Sequence, residues 1–274
     1  MAGVVDYSVP GPLTDLSAVL PAVLDAARTD PVGICALVGP LVIQPDEAEA
    51  LGVGEQRLEE RNIRPAAGLV SALLDVDSAP IGMPREPARR VVGTCRHFSV
   101  LACALLRLRG IPARARCGFA TYFQPGKGLD HWVIEYRQED GGPWRRLDVE
   151  YLGRPLPVNA ADLRPGEFLT GGEAWAAHRS GRIDAAQFGV YGTQNWGPAE
   201  IRGNAIRDLA ALNKVEMLPW DEWGRMTVSY RGETDASYDQ LMDEIAQVTA
   251  ADDALAAADL YGSQDLTVPA ELVR

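Results

Sequence analysis

The chain has 274 residues, of which 47% are hydrophobic and 23% charged, a balance that excludes wholesale disorder. Acidic residues outnumber basic ones by 38 to 26, for a net charge of −12 and a pI near 4.8, which argues against a protein built to bind a phosphate backbone. The longest nearly apolar run, Ile34 to Ile43, falls far short of the ~20 residues needed to span a bilayer.

The N-terminus lacks the basic region of a signal peptide. Four cysteines with no Cys-x-x-Cys pair make neither a disulfide framework nor a zinc motif. The expected setting is therefore reducing and cytoplasmic, with no membrane or nucleic-acid partner. Only Lys127 and Lys214 of the basic residues are lysines, a bias that fits a GC-rich genome in a chain abundant in Ala, Gly and Pro.

The first 90 or so residues read as mostly helical. Leu16, Val19, Leu20, Val23 and Leu24 recur at helical spacing, with Pro21 either splitting that helix or beginning it. A second helical stretch covers Glu55 to Leu74, interrupted near Pro65, and Asp77 to Pro87 reads as loop. The pattern then changes to one strong helix followed by three strands. The helix opens after Thr94, a good N-cap, carries Phe98, Leu101, Ala102, Leu105 and Leu106 on one face, and stops at Gly110 with Pro112 beyond. Ala113–Phe123, His131–Arg137 and Trp144–Tyr151 are strand-like, the last two joined by a turn over Glu139–Pro143 and so expected to form an antiparallel hairpin. Helices return at Glu200–Met217 and after Ser237, where Tyr238, Leu241, Met242, Ile245 and Val248 make an amphipathic stripe. The last ~15 residues are small and acidic, a composition of poorly ordered ends.

Cys95 begins the strong helix, where unpaired amides and the positive end of the helix dipole converge. That environment favours the thiolate and can stabilise a neighbouring oxyanion. A cysteine nucleophile needs a base and a group to orient it. The hairpin turn centres near residue 141, so the position opposite His131 falls at about 148–151, close to Asp148. Whether His131 and Asp148 share a face depends on register, since a slip of one residue reverses every side chain.

Gly93-Thr94-Cys95-Arg96-His97-Phe98-Ser99, then Leu108-Arg109-Gly110-Ile111-Pro112-Ala113-Arg114, then His131-Trp132-Val133-Ile134-Glu135-Tyr136, then Trp144-Arg145-Arg146-Leu147-Asp148 together resemble the transglutaminase-like core. The resemblance implies an α+β, papain-like fold, with a nucleophile helix packed on an antiparallel sheet and helical N- and C-terminal extensions. It implies a catalytic region over 1–199 with its core at 91–156, and a helical extension over 200–274 packed on that core. By position, Cys95 would be the nucleophile, His131 the base and later acid, and Asp148 the orienting carboxylate. The Cys95 amide would supply one oxyanion donor; Gln44, Gln56 and Asn62 are the candidates for a side-chain donor upstream. The chain departs from the usual wording in having Trp132 directly after His131 and Val149-Glu150 after the aspartate.

Cys35, Cys103 and Cys117 lie in apolar-patterned segments and read as packing residues. His97, about 200° around the helix from Cys95, points away from it. His178, near Trp175, reads as a surface or satisfied core histidine. Asn204 and Asp208, one turn apart on an otherwise apolar helix, need partners if buried. With Trp132 and Trp220 they are candidate substrate-binding residues, against a plain solvated helix face. The expected activity is a thioester-forming cysteine acyltransferase or amidase/protease acting on a small-molecule or peptide amide or ester. An amine or water would resolve the thioester, and the chemistry needs no metal or organic cofactor. The alternative is an inactive transglutaminase-like scaffold.

Overall fold

The computed structural model describes residues 5–24, 28–138, 141–263 and 265–273. Pro21 begins a short helix, α1 (Pro21–Leu24), so the Leu16–Leu24 spacing is only partly helical, though Leu16 and Leu24 are both buried. Helix α2 (Pro31–Ala36) is capped by Asp30, whose carboxylate accepts from the Gly33 amide. Strand β1 (Val42–Ile43) leads into α3 (Pro45–Ala50). The stretch read as interrupted at Pro65 becomes α4 (Glu55–Leu58), a 3₁₀ turn (Glu59–Asn62) and α5 (Ala66–Val76), which starts directly after that proline.

Strand β2 (Val91–Val92) runs parallel to β1 and delivers the chain to α6 (Cys95–Leu108). Gly93 permits this entry because a Cβ there would lie 2.7 Å from the His97 Cβ. His97 sits at the third helical position, where its Nδ1 accepts from the Thr94 amide at 2.9 Å and so caps the helix from within. Gly110 takes φ 69° past the helix end, and the Ile111 amide returns to the Leu106 carbonyl. Helix α6 is buried from Cys95 to Arg107 and packs on the sheet.

That sheet contains β3 (Ala113–Ala120), β4 (Gly128–Tyr136), β5 (Arg145–Leu147) and β6 (Phe168–Thr170) in the order β5-β4-β3-β6, with β7 (Phe188–Gly189) parallel beside β4. All three expected strands form, and β3–β4 and β4–β5 are antiparallel. The third is shorter than its sequence pattern, ending at Leu147 because the Asp148 amide turns to the Ala160 carbonyl. Glu139 and Asp140 of the expected hairpin turn lie outside the described residues. The α+β architecture follows the expectation.

The remaining helices are α7 (Gly171–Arg179), α8 (Pro198–Leu212), α9 (Arg225–Tyr230), α10 (Ala236–Ala250), α11 (Ala254–Tyr261) and α12 (Ala270–Val273). Helix α8 stops at Leu212 rather than Met217, and the chain reverses at Lys214, whose φ is 60°. Asp235, not Ser237, caps α10, and Tyr238, Leu241, Met242 and Ile245 are buried as the stripe predicts. The C-terminal end is packed instead of loose: Leu266 and Val268 are buried, and the Trp223 indole donates to the Leu266 carbonyl at 2.8 Å.

Asn204 and Asp208 on α8 are correctly read as needing partners, but they do not line a substrate wall. Strand β6 pairs with β3 over Gly118–Ala120, and α8 takes over where β6 stops. Asp208 accepts from the Cys117 amide at 3.0 Å and Asn204 donates to the Gly118 carbonyl at 3.2 Å. Both side chains are fully buried and satisfy the strand edge that would otherwise expose unpaired backbone groups. Asp208 also accepts both ends of the Arg116 guanidinium. Beside it, Glu135 on β4 accepts from Arg114, Arg116 and Arg146. Burial alone works against the Glu135 carboxylate, but Arg116, Arg114 and Arg146 outweigh it and hold the group well below the usual carboxylate range.

Candidate active site

Residues on both sides of the α6 N-terminus line a cleft of about 470 Å³. Cys95 stands at its base as the first residue of α6. His131 faces it from β4. The Cys95 sulfur, a His131 ring nitrogen and a Glu150 carboxylate oxygen all lie within 4.8 Å of one another. The His131 Nε2 is 3.0 Å from the Asp148 Oδ2, which leaves Nδ1 as the nitrogen free for the sulfur.

The register left open by the sequence is settled by Ile134 pairing with Leu147 and Glu135 with Arg146. Leu147 joins Trp132 and Ile134 in the apolar core under α6. Asp148, of opposite parity, is therefore on the His131 face. Glu150, in the turn that follows β5, comes within 4.8 Å of the His131 ring. Asp148 is fully buried and accepts a second hydrogen bond, 2.5 Å long, from the Tyr122 hydroxyl. Around the imidazole, Phe123 meets the ring edge-on at 5.1 Å, and Tyr151 and Tyr122 approach at 6.1 and 6.5 Å. These contacts fix the ring plane while Asp148 fixes its rotation.

Burial opposes a charge on His131, but Asp148 outweighs it and raises the ring's pKa well above the ordinary histidine value. Burial pushes the Cys95 thiol up, and the facing His131 pulls it back toward ionisation.

Gln44 is the one oxyanion candidate that reaches the cleft. Gln44 follows β1 directly, at the level of Gly93 in the parallel register, two residues before Cys95. The Gln44 Nε2 donates to the Glu150 Oε1 at 2.9 Å. Gln56 is exposed on α4, and exposed Asn62 donates to Glu59. The other Glu150 oxygen, Oε2, is buried with no hydrogen-bond partner.

Trp132 lies in the apolar core, 1% exposed and on the opposite strand face from His131, so it is a packing residue and not part of the cleft wall. Asn204 and Asp208 are likewise behind the site; Asn204 reaches it only indirectly, by donating to the cleft residue Asp130 at 2.7 Å. Trp220 does line the cleft and is 45% exposed. Its segment is anchored from both ends: Arg96 donates to the Glu216 carbonyl, and Arg64 forms a two-point pair with Asp221. The other wall is Val190 and Tyr191, brought in by β7 beside β4. Sequence reasoning missed Tyr122, Phe123, Tyr151 and Glu150; alternation from Asp148 pointed to Glu150 and nothing local pointed to the others.

Cys35, Cys103 and Cys117 are fully buried, free and away from the cleft. His97 is fully buried, its pKa pushed down to about 3 by burial and the neighbouring Arg96. His178 stacks near Trp175 on α7, remote from the site. The cleft carries the carboxylates of Asp46, Glu47, Asp130 and Glu150, and no Lys or Arg among its described lining residues. No described helix is long and apolar enough to cross a membrane.

Residues 76–149 match the family model described as the transglutaminase-like superfamily. The matched segment contains Cys95, His131 and Asp148. No curated protein and no solved structure matches the chain.

Proposed function

On the strength of that family match we propose that the chain is a cysteine enzyme that forms and resolves a thioester. Cys95 is the nucleophile, His131 the proton carrier and Asp148 the group that orients and charges His131. The observation that carries this reading is the Cys95 sulfur within 4.8 Å of the His131 imidazole, whose other nitrogen is 3.0 Å from the buried Asp148 carboxylate.

The Cys95 thiolate attacks an amide or ester carbonyl, and the developing oxyanion is met by the Cys95 backbone amide and the Gln44 side chain. As the S–C bond completes and the C–N or C–O bond breaks, the imidazolium of His131 gives its Nδ1 proton to the leaving group. An amine or water then attacks the thioester carbonyl, forming a C–N or C–O bond as it gives a proton to His131. The C–S bond breaks and the thiolate–imidazolium pair is restored. The substrate is a small molecule or peptide that fits beside Trp220 and Tyr191. The setting we propose is cytoplasmic.

The test is intact-mass analysis during turnover of a panel of amides and esters, with and without added amines. An acyl adduct on Cys95, with the acyl group passed to amine or lost to water, is the expected result. A complete absence of adducts and products, with the protein folded, would leave the inactive scaffold as the better description.

A further inference from the structure

Glu150 is the residue that the acyl chemistry does not use. It is 4% exposed, its Oε1 is held by Gln44, and its Oε2 is buried without a partner. A buried carboxylate oxygen left unpaired is costly unless something completes it. It stands within 4.8 Å of both the Cys95 sulfur and a His131 nitrogen.

We propose that Cys95, His131 and Glu150 form a zinc site that holds the protein in a reversible, blocked state. The donor set is one thiolate, one imidazole and one carboxylate, the mixture that suits a tetrahedral Zn²⁺. A tetrahedral zinc keeps its ligands roughly 3.5 Å apart, so donors already within 4.8 Å need only small side-chain adjustments. The supporting contacts are those that metal ligands require. His131 is oriented through its other nitrogen by Asp148, itself held by Tyr122, and Glu150 is oriented through its other oxygen by Gln44. The fourth position faces the cleft that all three residues line, where water completes the shell.

On binding, the one proton of the Cys95–His131 pair, held on Nδ1 in the thiolate–imidazolium form, leaves to solvent as the S–Zn and Nδ1–Zn bonds form. The sulfur lone pair that would attack a carbonyl is then committed to the metal, and His131 can no longer carry a proton to or from it. Binding itself needs only the three donors; the blocking consequence rests on Cys95 being the nucleophile proposed above.

The test equilibrates the full chain with Zn²⁺, removes free metal by gel filtration and counts bound zinc by elemental mass spectrometry. A parallel sample with Co²⁺ is read for thiolate-to-cobalt charge-transfer absorption. One zinc per chain, a charge-transfer band lost in Cys95→Ser, and about a tenfold or greater loss of zinc affinity in Glu150→Gln are expected. Asp46→Asn, which alters an exposed cleft acid outside the donor set, should bind zinc within about twofold of the parent. Zinc should also slow alkylation of Cys95 about tenfold or more, with chelator restoring it. If Glu150→Gln fails to fold, Glu150→Asp, which keeps the charge and withdraws the oxygen, should show the same loss of affinity. Absence of retained zinc in the folded parent, or equal loss in the Asp46 and Glu150 variants, overturns the site. Zinc binding that depends on Glu150 without any acyl-enzyme would preserve the site and defeat the enzyme; acyl-enzyme formation without zinc binding would do the reverse.

Discussion

His131 and Asp148 meet because β4 and β5 pair Ile134 with Leu147, which places the histidine and the carboxylate on the same face of the hairpin, 3.0 Å apart. The same register buries Leu147 with Trp132 and Ile134 under α6. Core packing and triad geometry are thus one constraint, and a slip that exposed Asp148 would also expose Leu147.

Asp148→Asn should lower turnover by about 100-fold or more, because the imidazole loses both its orientation and its stabilised charge. Since Asp148 raises the His131 pKa, the basic limb of the pH–rate profile should move to lower pH in this variant. The same coupling has a stability signature. A raised folded-state pKa stabilises fully below the unfolded histidine value of about 6.5, and that contribution is lost as pH rises through the folded value. Urea titrations from weakly acid to alkaline pH should show this decline in the parent and a flatter curve in Asp148→Asn.

Tyr122→Phe removes the second donor to the Asp148 Oδ2. A hydrogen bond to a buried carboxylate contributes about 1.5–3 kcal/mol, so the variant should unfold at lower denaturant. Its turnover should fall by less than that of Asp148→Asn, since the His131 contact remains. Steady-state kinetics beside urea unfolding checks both.

Asp208→Ala should destabilise the protein by about 1–3 kcal/mol, because it takes the carboxylate acceptor from two nitrogens of the buried Arg116, still paired with Glu135 through the third, and from the Cys117 amide. The neighbouring Glu135, held ionised by its three arginines, contributes stability that is full above the ordinary carboxylate range and is lost as pH falls from there through its lowered folded value. Unfolding curves taken at falling pH should show that loss in the parent and its absence in Glu135→Gln, which starts less stable.

Trp220→Ala should raise KM severalfold for substrates with an apolar group while leaving kcat and the unfolding midpoint almost unchanged. The indole is 45% exposed where it lines the cleft. A fall in kcat with unchanged KM would contradict the placement of substrate on that wall.

The sequence was most informative where function depends on local pattern. The capped start of α6, its glycine stop and the three strands that follow are written in residue spacing, which set Asp148 near His131 along the hairpin but left their shared face to the register. Trp132 was misread as a substrate contact because adjacency to His131 in sequence means opposite faces in a strand. Asn204 and Asp208 announced a need for partners without naming them, since the partner is the edge of β3, distant in the chain. Gln44 could not be separated from Gln56 and Asn62 because its position is set by the parallel β1–β2 pairing, which no local pattern encodes. Tyr122, Phe123 and Tyr151 converge on His131 only through the folded sheet.

The most direct test of the account is competitive alkylation of the native, metal-free protein with iodoacetamide near neutral pH, read by peptide mass spectrometry. Cys95 should react well ahead of the buried Cys35, Cys103 and Cys117, and His131→Ala should slow it by about tenfold or more, since burial alone then governs the thiol. Reaction at Cys95 no faster than at Cys117, or a rate indifferent to His131, would contradict the assignment of Cys95 as the activated nucleophile.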